Sequence, residues 1–341
     1  MADQNPTSSV TIDPYKHINI SLNPDGSLTR PTKFPNIPPT NDDHQSSSPV
    51  ISLDIPLNPS KKTWMRVFQP SNLSSNKKLP LIIYFHGGGF ILYSASSFMF
   101  HESCVQMASK LPAIFVSVDY QLAPEHKLPS AYEDAVDALL WVKNLALNNG
   151  GGYMFYDFVD FSKCFIMGSS SGGNISYQAG LRALNIDLEP IKIIGIIMNQ
   201  PFFGGVQRTE SELRLVNDKI IPLVVSDLMW EFALPNGIDR DHEYCNPMVG
   251  SHHHDEIKRL PRCFVRGYGG DPLVDRQIEF VKMLEEHGAC VLKHFIDDGF
   301  HSCDLFKPDK AHALWMDLKD FIYSSATTTG VGSNAVANST L

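Results

Sequence analysis

The sequence predicts an α/β fold, with a mostly parallel central sheet flanked by helices. Three observations point there. Short continuous apolar runs recur along the chain, helix-length segments fall between them, and several runs end close to glycine-containing turns. Continuous apolar runs suit parallel strands buried on both faces. Strands alternating with helices build a doubly wound sheet.

The elements follow in order. Residues 1–48 are rich in Pro, Asn, Ser and Asp and read as an extended, partly mobile arm. Residues 50–57 and 63–69 alternate in polarity and are expected to form an antiparallel edge pair. The continuous runs 81–85, 113–118, 164–167, 193–198, 263–265 and 291–295 are the expected parallel strands. Helices are expected over 99–110, 129–144, 174–184, 276–287 and 310–324. The piece from Gly205 to Gly237 breaks this rhythm. Its segment 223–232 carries Leu, Met, Trp and Phe and reads as a helical cap over the sheet edge. The expected organisation is an arm (1–48), one domain (49–323, cap insertion about 205–237) and a small, polar, disordered tail (324–341).

Composition narrows the partners. With 43% hydrophobic and 19% charged residues, a chain of this length can bury a large core without disulfide staples. The net charge of −9, with both signs scattered, argues against nucleic acid or anionic membrane as a partner. No apolar run approaches the roughly 18 residues that span a bilayer. Residues Met1 to Pro6 show no basic region leading into an apolar stretch, so no secretory signal is expected. The six cysteines are dispersed without a C-x-x-C pair, as free thiols in a reducing cytosol would be. A cytoplasmic monomer is the resulting expectation.

The apolar run 164–167 leads directly into Gly168-Ser169-Ser170-Ser171-Gly172, and a helical segment follows. In that context Gly-x-Ser-x-Gly is a nucleophile elbow, a tight turn that exposes one serine hydroxyl above a sheet. Of the three serines only Ser170 has Gly at both −2 and +2. Upstream, His86-Gly87-Gly88-Gly89-Phe90 follows the run 81–85. Acyl transfer builds negative charge on a carbonyl oxygen, and backbone N–H groups aimed at it stabilise that charge. The N–H groups of Gly88, Gly89 and Ser171 are the candidate donors, with His86 bracing the loop. Downstream, Asp271 follows the run 263–265 and His301 follows the run 291–295. That chain order, Ser then acid then His, completes a hydrolase triad at one sheet edge. His301 would take the proton from Ser170, and Asp271 would set its tautomer.

Competing residues are weaker. Asp275 lies farther from its strand and reads as a cap for the helix beginning near Arg276. His252-His253-His254 lacks spaced acidic or Cys partners, so no metal site is expected. His101-Glu102 does not complete H-E-x-x-H. His287 falls at a helix C-terminus, where a partly positive ring suits the dipole.

Taken together, these blocks resemble the plant carboxylesterases of the hormone-sensitive-lipase-like branch of the α/β hydrolases. The resemblance covers roughly residues 15–323. It rests on His86–Phe90, on Ser117-Val118-Asp119-Tyr120-Gln121-Leu122-Ala123-Pro124-Glu125, on Gly168 to Asn174, on Asp271 to Asp275 and on Gly299-Phe300-His301. The early Leu22-Asn23-Pro24-Asp25-Gly26-Ser27-Leu28-Thr29-Arg30-Pro31 resembles the family's N-terminal lid. The resemblance implies an α/β-hydrolase fold, hydrolysis of a small-molecule ester, no cofactor, a cytosolic location and an arm folded over the site. Candidate pocket walls are Phe90, Phe202, Phe203 and Trp230; apolar walls favour short acyl or aryl esters over charged substrates.

Two positions depart from the family. Ser169 and Ser171 stand where Gly-Asp-Ser-Ala-Gly is common, so an acidic side chain is missing beside the nucleophile. Gln121 stands where Arg is usual, which removes the cation of a structural ion pair. The family also includes gibberellin receptors, whose catalytic histidine position is not histidine, and relatives that dehydrate, cyclise or transesterify. His301 argues for turnover over the receptor reading.

Overall fold

A computed structural model describes residues 12–31, 35–40, 48–73, 77–250 and 253–324. Its central sheet has eight strands: β1 (Val50–Asn58), β2 (Thr63–Pro70), β3 (Leu79–Phe85), β4 (Ile114–Asp119), β5 (Val159–Ser169), β6 (Ile193–Asn199), β7 (Cys263–Gly270) and β8 (Val291–Phe300). Their spatial order is β8-β7-β6-β5-β3-β4-β2-β1. β1 pairs antiparallel with β2, as the alternating segments predict, and β2 also pairs antiparallel with β4; all other pairings in this sheet are parallel.

Six longer helices cover the sheet: α1 (Phe98–Lys110), α2 (Ser130–Leu147), α3 (Ser171–Ala183), α4 (Leu223–Ala233), α5 (Val274–Glu286) and α6 (Pro308–Tyr323). Strand periodicity sorts them to two faces. In β3, Leu81, Ile83 and Phe85 join the core beneath α2 and α3, whereas Ile82 and Tyr84 face the α1 and α6 side. β3 is buried over its whole length, which explains its unbroken apolar run.

Register brings the strand ends level. Phe85 pairs with Gly168, Ser169 with Asn199, Asn199 with Arg266, and Gly270 with Phe300. The turns after β3, β5, β6, β7 and β8 therefore open on one edge. β7 and β8 run several residues beyond the apolar runs that signal them, because backbone pairing continues to Tyr268 with Ile296 and, after an irregularity between Ile296 and Phe300, resumes at Gly270 with Phe300.

The described part of the arm is not extended throughout. Asp13 caps a one-turn helix, Pro14–Ile18, and Ser21–Leu22 pairs with Leu28–Thr29 in a small hairpin. Arg30 locks it down. Its guanidinium reaches both oxygens of Glu125 at 2.9 and 2.6 Å, and donates to the carbonyls of Ile91 (2.6 Å) and Ala123 (2.7 Å). Residues 35–40 lie along the body, where Asn36 bridges to Ser97; arm residues 1–11, 32–34 and 41–47 and the tail from 325 lie outside the described residues.

The cap is tied at two ends. Lys127 Nζ donates to the carbonyls of Glu231, Phe232 and Leu234 at the end of α4, at 3.1, 2.8 and 2.9 Å. At the other end Asp275 Oδ2 accepts from the Ser211 N–H at 2.7 Å, and buried Arg276 pairs with Glu212 at 3.1 Å. Asp275 is thus not the cap of α5. That helix starts at Val274 after Leu273, and the Asp275 carboxylate turns outward to hold the cap. Among the described residues no helix is long and apolar enough to cross a membrane.

Candidate active site

Ser170 occupies the turn between β5 and α3 with φ 55° and ψ −121°, a region costly for a residue with a Cβ. The two framing glycines are required by contact. A Cβ on Gly172 would lie 1.9 Å from the Phe85 carbonyl oxygen, and one on Gly168 would lie 2.0 Å from the Gly172 oxygen. The elbow is wedged against the end of β3, which is why it tolerates no side chain there.

His301 follows β8 directly and is buried. Its Nε2 lies 2.9 Å from Ser170 Oγ, and its Nδ1 lies 2.9 Å from Asp271 Oδ2. A carboxylate only accepts, so Nδ1 carries the hydrogen and Nε2 is left to accept from the Ser170 hydroxyl. Burial draws the His301 pKa down. The charge and hydrogen bond of Asp271 outweigh that, with Asp218 and Asp304 adding to them, and the net shift is upward.

Asp271 is fully buried. Its Oδ1 accepts from the Leu273 N–H at 2.9 Å; its Oδ2 also accepts from Gln200 Nε2 at 3.0 Å and Gln277 Nε2 at 3.1 Å. Gln200 further steadies the histidine loop, donating to the Phe300 carbonyl (3.1 Å) and accepting from the Ser302 N–H (3.0 Å). Neither glutamine carries a sequence signal. Gln200 sits just past β6 and Gln277 one turn into α5, and only packing points both at Asp271.

The loop after β3 lies against the elbow. A Cβ on Gly87 would come 3.2 Å from Ser170 Cβ. The N–H groups of Gly88, Gly89 and Ser171 donate to no protein acceptor among the described residues. His86 is stacked on Tyr120 at 4.4 Å, and its carbonyl accepts from the Tyr120 hydroxyl at 2.9 Å.

The departures from the family pattern have visible surroundings. Ser169 Oγ accepts from Tyr84 Oη (3.4 Å) and Asn199 Nδ2 (3.3 Å), and the same Asn199 Nδ2 reaches both Asp304 oxygens at 3.4 Å. A buried carboxylate thus still lies near the elbow, supplied from the loop after His301. Burial pushes the Asp304 carboxyl above its ordinary range, with Arg266 opposing. At Gln121, the backbone N–H donates to Asp134 at 2.8 Å, and Lys61 supplies that buried carboxylate with a cation at 3.2 Å.

Above Ser170 and His301 is a chamber of about 100 Å³. Ile18 of the arm and Ile220, Ile221 and Met229 of the cap line it together with Gly87–Gly89, and Met229 packs against Gly89. Phe90, Phe202, Phe203 and Trp230 do not line it. Phe202 stacks on Trp230 at 4.7 Å, Phe90 leans on both, and Phe203 packs on Phe280 at 4.4 Å, all buried in the core. On α4, neighbouring side chains diverge by about 100°. Met229 therefore faces the chamber while Trp230 faces the core.

The other described histidines singled out from the sequence lie away from Ser170. His253 pairs with Glu243 and Glu256, and His254 stacks on His287, whose Nδ1 lies 2.8 Å from the Met283 carbonyl; His252 lies outside the described residues. His101 is buried beside Arg66, and burial first, then that charge, pushes its pKa down to about 4. Among the described residues no three His, Cys, Asp or Glu side chains gather as a metal site.

Residues 82–305 match the model of a family described as having the alpha/beta hydrolase fold. Probable carboxylesterase 8 of Arabidopsis thaliana is 52% identical over 95% of this chain and 97% of its own length. The 3-O-acetylpapaveroxine carboxylesterase CXE2 of Papaver somniferum is 48% identical over 91% of this chain and 99% of its own. Among solved structures, a Pyrobaculum calidifontis esterase superposes with a TM-score of 0.65 at 25% identity, covering 80% of this chain and 84% of that one.

Proposed function

The chain belongs to the plant carboxylesterase branch of the α/β hydrolases, and we propose that it hydrolyses esters of small apolar acyl groups through Ser170, His301 and Asp271. One observation carries the reading: the unbroken hydrogen-bond chain from Ser170 Oγ through His301 to buried Asp271, with both steps at 2.9 Å. A nucleophile, a base and an orienting acid in that order are the parts that acyl transfer needs.

The steps follow. His301 Nε2 accepts the Ser170 proton as Oγ attacks the ester carbonyl carbon. The carbonyl oxygen becomes an oxyanion and takes hydrogen bonds from the N–H groups of Gly88, Gly89 and Ser171. Asp271 stabilises the imidazolium. The carbon–alkoxy bond breaks, the alcohol oxygen takes the proton from Nε2, and an acyl-serine remains. Water, deprotonated by the same Nε2, attacks the acyl carbon; the carbon–Oγ bond breaks, Ser170 Oγ takes that proton back from Nε2, and the acid is released.

The chamber's size and apolar lining support a small acyl group. The Papaver somniferum relative, named for an O-acetyl ester, is in keeping with it. A fluorophosphonate is expected to label Ser170 stoichiometrically, read by peptide mass spectrometry, and Ser170→Ala is expected to lose turnover of p-nitrophenyl acetate. Labelling at Ser169 or Ser171, or full turnover by the alanine variant, would overturn the assignment.

A further inference from the structure

The chamber's volume of about 100 Å³ is too small for an ester with an extended alcohol half. Sites that enclose small-molecule ligands hold roughly 300–1,000 Å³. Such an ester must therefore run out of it. The chamber shares Met99, Leu305 and Phe306 with a second cavity of about 450 Å³. This groove runs between the first turns of α1 and α6, where Phe98, Ala311 and Trp315 extend its apolar wall. Phe98 and Phe306 are 44% and 49% exposed, large apolar side chains gathered at one place on the surface. Two further clefts, beside Arg276 and beside Leu184, share no wall residue with the chamber.

The chemistry orients the ester between these two spaces. The leaving alcohol takes its proton from His301 Nε2, so the alcohol half departs on the His301 side. Leu305 and Phe306 follow His301 by four and five residues and form the shared wall. We propose that the groove between α1 and α6 is the subsite for the alcohol half of the ester, and that this alcohol is an extended apolar or aromatic one. The acyl half stays in the chamber. The proposal rests on the esterase reading above.

Plugging the groove tests it. Ala311, half-buried on α6, is replaced by Trp, and by Leu as a smaller plug that keeps the test alive if the first variant fails to fold. The ratio of kcat/KM for octyl acetate over ethyl acetate is measured beside that for p-nitrophenyl butyrate over acetate. The alcohol-length ratio is expected to fall about tenfold or more in Ala311→Trp, the scale on which apolar pockets discriminate, and less in Ala311→Leu. The acyl-length ratio is expected to move less than twofold. An alcohol-length ratio that moves less than twofold, or a fall confined to the acyl series, overturns the subsite. Wild type that turns over none of the four esters overturns the esterase reading itself, and the subsite with it.

Discussion

Asp271→Asn separates two contributions of the buried carboxylate, its charge and its hydrogen bonds. Asp271 Oδ2 faces three donors, His301 Nδ1 at 2.9 Å, Gln200 Nε2 at 3.0 Å and Gln277 Nε2 at 3.1 Å, whereas Oδ1 faces one, the Leu273 N–H at 2.9 Å. An asparagine can match three of these donors only by placing its oxygen at the Oδ2 position. Its NH2 then opposes the Leu273 N–H. In that orientation His301 keeps the correct tautomer, and the principal loss is charge. A unit charge about 4 Å from the imidazolium is worth about 4 kcal/mol at an effective dielectric of 20, or about a thousandfold in rate. The kcat for p-nitrophenyl acetate is therefore expected to fall about a thousandfold.

The pH profile supplies a second reading. His301 acts as a base only when neutral, and the Asp271 charge favours its protonated form, raising its pKa against the opposing effect of burial. Removing that charge lowers the pKa, so the acid limb of kcat/KM moves to lower pH. The measurements are steady-state kinetics from pH 5 to 9, with near-UV circular dichroism to show that the variant is folded. A loss below tenfold with an unmoved acid limb would refute the assignment. A loss of that size at Asp275→Asn instead would transfer the role to Asp275.

Three further outcomes are expected. Gly172→Ala forces a Cβ to 1.9 Å from the Phe85 oxygen at the end of a central strand, and is expected to lower stability by about 3 kcal/mol, read from the urea midpoint. Gln277→Leu removes one donor to Asp271 and is expected to lower kcat about tenfold with KM nearly unmoved, since a hydrogen bond to a charged group is worth about 1.5–3 kcal/mol. Arg30→Ala breaks the partly exposed pair with Glu125 and three carbonyl contacts; a loss of about 1 kcal/mol and faster proteolytic cleavage within the arm are expected. Burial raises the Glu125 pKa, but its bonds to Arg30 and to the Leu28 N–H leave it lowered overall. A lowered carboxyl pKa adds stability above the ordinary carboxylate range and loses it as pH falls through the folded value. Arm docking is therefore expected to hold at neutral pH and to weaken only in acid.

Much of the site was legible because its parts lie at strand ends. Ser170, Asp271 and His301 each sit in a turn just after a strand, and a parallel sheet brings such turns to one edge whatever the details of packing. The chamber walls were not legible. Phe90, Phe202, Phe203 and Trp230 are apolar and near the motifs, but the same is true of core residues, and sequence does not say which way a side chain turns. Asp275 shows a similar limit: its place at a helix start suggests a cap, yet its partner is Ser211, 64 residues away.

By itself, then, the sequence determined the alternation of strands and helices, the antiparallel edge, and the turn in which each candidate catalytic side chain sits. These depend on local periodicity and on where glycine is sterically required. The tertiary structure alone decided the side-chain partners: Gln200 and Gln277 on Asp271, Arg30 across the arm to Glu125, and Lys61 beside Asp134. It also decided the small chamber and the groove that continues it. Most of those features join residues tens of positions apart, and all of them depend on side-chain direction and close packing, which no pattern along the chain contains.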